Sequence, residues 1–304
     1  MKLDRCGFAC NCLALADEIY IKTMTLDRLR KMLEANPIKG RDYLYKLWRH
    51  NLKYMSAALD YCNKTDIGLF RIRSDIFPLI DHPICPIGIG DLPSFDNHHK
   101  HIKLSMHPDQ FCVLNSPDSV VRNRSTIILE YHRDILTYFG APEGTICIHG
   151  GGVYGDRKAA MQRWMDTFNR LDPHTASMVK LENDERGWTV QELFTMTKGK
   201  VPIIIDTFHW SINHEDFDTL EDAAELAFRT WSTTPKIHYS EQNPEKRVGA
   251  HSDRVTKDGF FGTMRTLDRL NIPFNCMLEA KHKDLALLEL FVDEEFLCTI
   301  SKPI

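Results

Sequence analysis

Eight short apolar runs punctuate this chain, separated by longer amphipathic stretches, and that pattern leaves few folds open. The runs are Leu3 to Ala9, Ile67 to Arg73, Ile102 to Met106, Thr145 to Ile148, Met178 to Leu181, Val201 to Ile205, Lys236 to Tyr239 and Phe274 to Leu278. Each has the length of a buried strand. Between them, apolar residues recur at helical spacing in Arg41 to Cys62, Ser119 to Phe139, Arg157 to Leu171, Val190 to Lys198, Leu220 to Phe228, Lys257 to Leu270 and His282 to Phe296. Strands covered on both faces by crossover helices lose their polar alternation, which is why they read as continuous apolar runs. The rhythm predicts a single α/β domain over residues 1–304, a (β/α)8 TIM barrel. Glycine and proline precede several runs, as at Gly140-Ala141-Pro142, Thr234-Pro235 and Ile272-Pro273, where a helix must end before a strand begins.

In such a barrel the carboxyl ends of the strands face one mouth, where side chains from distant positions converge. Six successive runs deliver an ionisable group there: His107, His149, Glu182, Asp206 with His209, His238 and Glu279. His82 and His251 fall in loops on the same face. A lone histidine near a strand end is usually a hydrogen-bonded structural residue. Joint occurrence changes the reading, because Glu182, Asp206 and Glu279 would repel one another at one mouth unless cations lay between them. The expected site therefore holds two or three divalent cations. Imidazole and carboxylate donors without paired cysteines suit Mn2+ first, with Zn2+, Fe, Mg2+ or Co2+ as further candidates. Such centres hydrolyse phosphodiesters, and with fewer metals the same barrel isomerises or epimerises sugars.

The net charge of -4 does not mark a nucleic-acid binder, although a carboxylate-rich pocket lowers the total by itself. Nine cysteines at irregular spacing, with no apparent leader before Met1-Lys2-Leu3, point to reduced thiols in the cytoplasm, the nucleoid or a nucleus. No apolar run is long enough for a bilayer, so a membrane partner is not expected, and the chain is expected to be a monomer.

The strings Leu104-Ser105-Met106-His107-Pro108-Asp109-Gln110-Phe111, Leu181-Glu182-Asn183-Asp184-Glu185, Asp206-Thr207-Phe208-His209, Pro235-Lys236-Ile237-His238-Tyr239-Ser240 and Gly249-Ala250-His251 resemble the ultraviolet-damage endonuclease family. The likeness runs in order from Arg5-Cys6-Gly7-Phe8 to Glu279-Ala280-Lys281. It implies a TIM barrel related to endonuclease four, acting on double-stranded DNA. The implied reaction is a nick directly 5′ of cyclobutane dimers and 6-4 photoproducts, and for some members at abasic sites. By the same resemblance, His82, His107, His149, Glu182, Asp206, His209, His238, His251 and Glu279 are metal-coordinating positions. Glu182, Asp206, Glu279 and Lys236 are catalytic ones, and Lys236 matches a lysine that can be carbamylated into a bridging ligand. The analogy groups His107, His149 and Glu182 on one ion, Glu182, Asp206, His238 and Glu279 on a second, and His209 with His251 on a third.

Gln110 and Phe111 match the family's damage-probing pair, and Phe8 a further lesion contact. Both aromatic positions carry tyrosine in the family's usual pattern, and Cys12 replaces a more polar residue. Side chains inserted into a duplex can unstack and extrude a lesion, and damaged bases resist least. Phosphate contacts are expected from basic residues on the same face, best from Lys246 and Arg247, with Arg71, Arg73, Arg254, Lys281 and Lys283 as other candidates. Two other readings compete with the endonuclease. A sugar isomerase would need no probing pair, and a damage-binding protein would need no complete ligand set.

Overall fold

All eight runs become parallel strands that close one barrel in chain order. They are β1 (Leu3–Ala9), β2 (Leu69–Ile72), β3 (Lys103–Met106), β4 (Thr145–His149), β5 (Val179–Glu182), β6 (Ile203–Asp206), β7 (Lys236–Tyr239) and β8 (Phe274–Leu278). β1 shuts the ring against β8, with Cys6 opposite Cys276 and Phe8 opposite Leu278. The structure, a computed structural model, describes residues 1–214 and 219–292. The helices are α1 (Leu26–Ala35), α2 (Pro37–Lys64), α3 (Ser119–Tyr138), α4 (Arg157–Phe168), α5 (Pro173–Met178), α6 (Val190–Thr197), α7 (Thr207–Ile212), α8 (Leu220–Phe228), α9 (Lys257–Asp268) and α10 (Lys283–Phe291). The expected helix His282 to Phe296 corresponds to α10, and its last residues lie outside the described ones. Among the described residues no helix is long and apolar enough to cross a membrane.

Caps explain several boundaries. Asn36 accepts a hydrogen bond from the Lys39 N–H at 3.0 Å and Pro37 takes the first helical position, so α2 starts four residues earlier than its apolar spacing suggests. Asp118 and Asp156 cap α3 and α4 in the same way. Between β2 and β3 there is no α-helix, only a 3-10 turn at Ile89–Asp91. Pro78, Pro83, Pro86 and Pro93 account for this, since each removes a backbone donor and disfavours helix at the residue before it.

Strand alternation sorts the side chains. Outward positions such as Phe8, Phe70, Ile146 and Ile148 pack under the helices in one continuous core, to which α2 contributes the fully buried Trp48, Leu44 and Met55. Inward positions make a separate, small apolar cluster of Ala9, Leu69 and Met277 in the barrel lumen. Gly7 permits it: a Cβ at that position would come within 2.0 Å of the Leu69 carbonyl oxygen. Apart from Ile204 on β6, most of the remaining inward positions are polar, and their order along the strands sets up the site.

Candidate metal centre

On β4, β5, β7 and β8 the inward residues nearest the carboxyl end are His149, Glu182, His238 and, one step beyond β8, Glu279. Glu182 is the hub. Its Oε2 lies 3.1 Å from His107 Nε2 and 4.0 Å from His149 Nε2, and its Oε1 lies 2.7 Å from His238 Nδ1. His238 Nδ1 is also 3.1 Å from Glu279 Oε1. Imidazole and carboxylate ligand atoms fall into two sets within 4.8 Å: His107, His149 and Glu182, and Glu182, Asp206, His238 and Glu279. These are the first two groupings expected from the sequence. His209 and His251 face each other with ring centroids 5.6 Å apart, next to Glu185 at 3.9 Å from His209 Nε2.

Local structure aims these groups. Asp206 ends β6 and caps α7, with Oδ1 accepting from the N–H groups of Phe208 and His209, both at 2.8 Å. Its Oδ2 is buried with no hydrogen-bond partner. Asn183 locks β5 to β6: its Oδ1 accepts from Asp206 N–H at 2.8 Å, its Nδ2 donates to the Asp206 carbonyl at 3.1 Å, and its own carbonyl lies 3.0 Å from His209 Nδ1. That last contact keeps His209 Nδ1 on the Glu182 and Asp206 side, at 3.9 and 3.8 Å, and turns Nε2 toward Glu185, 3.9 Å away. His107 is oriented likewise, with Nδ1 at 2.8 Å from the Pro108 carbonyl and Nε2 toward Glu182. Histidine ligands are commonly fixed by such a bond through the second nitrogen.

The charges are strongly coupled. Burial alone would raise the Glu182 carboxyl, but His238, His149 and His107 hold it well below the usual range. Glu279 is held down by Arg71 and His238, with Arg71 Nη2 donating to Oε1 at 2.6 Å. Asp206 goes the other way, pushed up to about 6 by burial and by Glu182 and Glu279. His209, although buried, rises to about 9 beside Asp206 and Glu182. Burial keeps the Cys147 thiol protonated, so at 3.0 Å it donates to Glu182 Oε2 and is not a thiolate ligand.

Divalent cations fit this arrangement. Asp206 Oδ2 is an acceptor taken out of water with no hydrogen bond among the described residues, its nearest cationic group being His209 Nδ1 at 3.8 Å. Cations between Glu182, Asp206 and Glu279 would remove the repulsion that raises Asp206.

Other expected site residues sit apart from these two sets. His82 accepts the Ile84 N–H on Nδ1 at 3.2 Å, and among the described residues no hydrogen bond or ion pair joins it to the centre. Lys236 is buried at the opposite end of β7, two residues before His238 and about 7 Å beneath it. Burial lowers its amine to about 8. It belongs to neither ligand set. Phe111 is 71% exposed and neighbours exposed Gln110, on the turn that follows His107. Phe8 corrects the sequence reading: it is fully buried, edge-on to Phe70 at 5.2 Å, and a ring without exposed surface cannot touch a base. Arg71 is corrected too, since it is buried against Glu279 and so unavailable to a phosphate. Lys246 and Arg247 are exposed and form no ion pair among the described residues. Asn183 and Cys147 were missed as supporting residues. Asn183 directly follows Glu182 in the sequence, but only the register between β5 and β6 reveals its clasp.

A closed parallel barrel with imidazole and carboxylate donors converging at its carboxyl mouth makes this protein a TIM barrel whose mouth could hold divalent cations. Within that class the chain belongs to the UV-endonuclease UvdE family, which matches residues 4–302. A UV DNA damage endonuclease of Bacillus mycoides (strain KBAB4) is 30% identical over 305 residues, 95% of this chain and 94% of the relative. That of Bacillus pumilus (strain SAFR-032) is 31% identical, over 94% of this chain and 92% of its own. The crystal structure of SacUVDE superposes with a TM-score of 0.83 at 29% identity, covering 96% and 98% of the two chains. Endonuclease IV from Thermus thermophilus, at 11% identity and a TM-score of 0.54, shares the fold over 97% of this chain and 99% of its own. So does 3-keto-D-glucoside 4-epimerase from E. coli, at 12% and 0.55, with the same coverage.

Proposed function

We propose that this protein is a DNA repair endonuclease that nicks the phosphodiester backbone immediately 5′ of cyclobutane dimers and 6-4 photoproducts, with abasic sites as further substrates. The observation that carries the reading is the convergence of His107, His149, Glu182, Asp206, His238 and Glu279 in two overlapping sets that share Glu182. The epimerase reading shares the fold but not the family, and gives no role to a 71% exposed Phe111 beside the centre.

When bound, Mn2+ or a related cation supplies Lewis acidity, lowering the pKa of water toward hydroxide for attack on phosphorus and neutralising the scissile phosphate. The protein's residues do the rest. Glu182 links the two sets through its two carboxylate oxygens, fixing their separation. Arg71 and His238 keep Glu279 ionised, and so available as a ligand, throughout the working pH range. His209 and His251 form the outer edge, as a third ligand pair. Gln110 and Phe111 enter the stack at the lesion, while Lys246 and Arg247 hold backbone phosphates without reading sequence. Phe111 keeps the stacking of an aromatic wedge and gives up the hydrogen bond a tyrosine could make.

A 5′-labelled duplex, irradiated or intact, incubated with the protein and Mn2+ tests the reading. The expected product is a single nick 5′ of the photoproduct that appears only in the irradiated duplex and disappears with a chelator. Equal cutting of both duplexes, or binding without cutting, would reject it.

A further inference from the structure

The loop between His149, which ends β4, and Arg157, which opens α4, carries an aromatic ring that the metal centre does not use. Tyr154 is 47% exposed at this mouth, and its backbone is left-handed, with φ at 53°. Among the described residues it is the one aromatic side chain held in that region. Tyrosine avoids the conformation because its Cβ crowds the following carbonyl oxygen, so the loop holds the ring out against a local preference. An exposed ring offsets little of that cost by burial. Such strain persists where the surrounding structure enforces it, and it gathers at ligand mouths.

The neighbours enforce it from both sides. Asn115, from the loop between β3 and α3, donates through Nδ2 to the carbonyls of Gly150 at 2.7 Å and Gly152 at 2.8 Å. Trp188, just before α6, donates through Nε1 to the Gly151 carbonyl at 2.6 Å. Three consecutive carbonyls are thereby tied to adjacent segments. The ring lies against Gly152, where a Cβ would sit 2.9 Å from the Tyr154 Cζ. Arg163 of α4 completes the seat: its guanidinium carbon is 5.7 Å from the ring centroid, and its Nε donates to the Asn115 carbonyl at 2.9 Å. The Tyr154 hydroxyl makes no hydrogen bond among the described residues. A ring fixed in this way and open to solvent is a platform for a second flat group.

We propose that Tyr154 is a further DNA contact, a stacking platform for a nucleobase that has left the helix. The proposal rests on the endonuclease reading, because it takes DNA at this mouth as given. The loop that clamps Tyr154 through Asn115 also carries the exposed Phe111, so the wedge and the platform stand on interlocked segments. A paired base inside a duplex offers neither face to a side chain, whereas a base displaced at a lesion offers both. Phe111 opens the stack and Tyr154 receives what is displaced. Stacking of this kind needs no hydroxyl and no particular base.

The test compares the full chain with Tyr154→Phe and Tyr154→Asn, all loaded with Mn2+. Single-turnover cutting of irradiated duplex at rising protein concentration gives a half-saturation point, and fluorescence anisotropy gives affinities for intact duplex and for an unirradiated thymidine oligonucleotide. Tyr154→Asn should raise the half-saturation point about tenfold and weaken single-strand binding about tenfold, while intact-duplex affinity stays within about twofold. Tyr154→Phe should match the wild type on all three. Asparagine adopts left-handed backbone more readily than tyrosine, so the urea midpoint of Tyr154→Asn should lie at or above that of the wild type, which separates a lost ring from a lost fold. The proposal is overturned if Tyr154→Asn equals the wild type on irradiated duplex and single strand, if it loses as much on intact duplex, if Tyr154→Phe loses as much as Tyr154→Asn, or if the urea midpoint falls. Wild-type protein that cuts both duplexes alike, or neither, defeats the endonuclease reading itself and this proposal with it, and that result shows without any variant.

Discussion

Asp206→Asn separates two jobs that one carboxylate performs. Oδ1 caps α7 with two hydrogen bonds, and asparagine can keep both. Oδ2 is buried without a hydrogen bond, 3.8 Å from His209 Nδ1, and an amide in its place cannot bind a cation. In the metal-free protein the Asp206 pKa is pushed up to about 6 from an ordinary value of about 4, chiefly by burial. An acid raised in this way stabilises the fold only while protonated, so its contribution is complete below about pH 4 and lost as pH rises through about 6. At pH 8 the buried charge costs on the order of 3 kcal/mol. Asparagine removes that cost but also removes the partner that holds His209 charged, which gives part of it back. Metal-free Asp206→Asn should therefore be more stable than the wild type by roughly 1–2 kcal/mol at pH 8, and the gain should fade by pH 4. With saturating Mn2+ the order should reverse, because only the wild type gains the full linkage of binding to its folded state. Urea unfolding of both proteins, with chelator and with Mn2+, at pH 4 and pH 8, measures all of this. A variant less stable than the wild type without metal at pH 8, or one that gains equally from Mn2+, would falsify the assignment of Oδ2 as a ligand.

Glu279→Gln should abolish incision, a loss of about a thousandfold or more, while duplex binding by gel shift stays within a few fold; unchanged cleavage removes Glu279 from the centre. Phe111→Ala should lower the ratio of damaged to intact duplex affinity by about tenfold and slow single-turnover cutting less, since stacking on an exposed ring is worth about 1–3 kcal/mol; equal losses on both duplexes argue against a wedge. Lys246→Gln/Arg247→Gln should flatten the dependence of log affinity on log salt concentration by about two, and an unaltered slope places the phosphate contacts elsewhere. Trp48→Ala should cost about 3–5 kcal/mol in unfolding free energy without touching metal content, because the ring is fully buried between α2 and the Phe77-Pro78 segment.

The barrel was legible because strands buried on both faces leave continuous apolar runs, and eight of them alternating with helices match the repeat of a (β/α)8 barrel. Helix ends were less so. α1, α5 and α7 were not expected, since Asn36-Pro37, the Asp172 cap and the Asp206 cap set their limits through side-chain hydrogen bonds, not through apolar spacing. At the site, strand-end position picked out His107, His149, Glu182, Asp206, His238 and Glu279, because β alternation fixes which side of the wall a residue faces. It could not rank Phe8 and Phe111. Both are aromatic and adjacent to polar motifs, yet Phe8 sits on an outward position of β1 under the helices and Phe111 on a turn beyond β3. Arg71 was misread for a related reason. A basic residue near the mouth resembles a phosphate contact until the ladder shows that it points into the lumen, where Glu279 on the far side of β1 meets it.

His209 supplies the sharpest reading of whether cations belong here. Asp206 and Glu182 raise its imidazole to about 9, so at pH 7.5 the metal-free protein carries it as imidazolium. A base raised in the folded state stabilises the fold fully below its unfolded pKa of about 6.5 and loses that contribution as pH passes about 9. Cation binding competes with that proton. Nδ1 can keep its bond to the Asn183 carbonyl, but Nε2 must give up hydrogen before its lone pair can coordinate. Loading Mn2+ at pH 7.5 should thus release about one proton from His209 alone, and affinity should fall about tenfold for each pH unit below 9 down to the range where other ligands protonate. Titrations in two buffers of different ionisation enthalpy count the protons directly. His209→Asn should lower the count by about one while the first ligand set still binds its ion, and an unchanged count would mean that this histidine stays protonated and serves as a hydrogen-bond donor, not as a ligand.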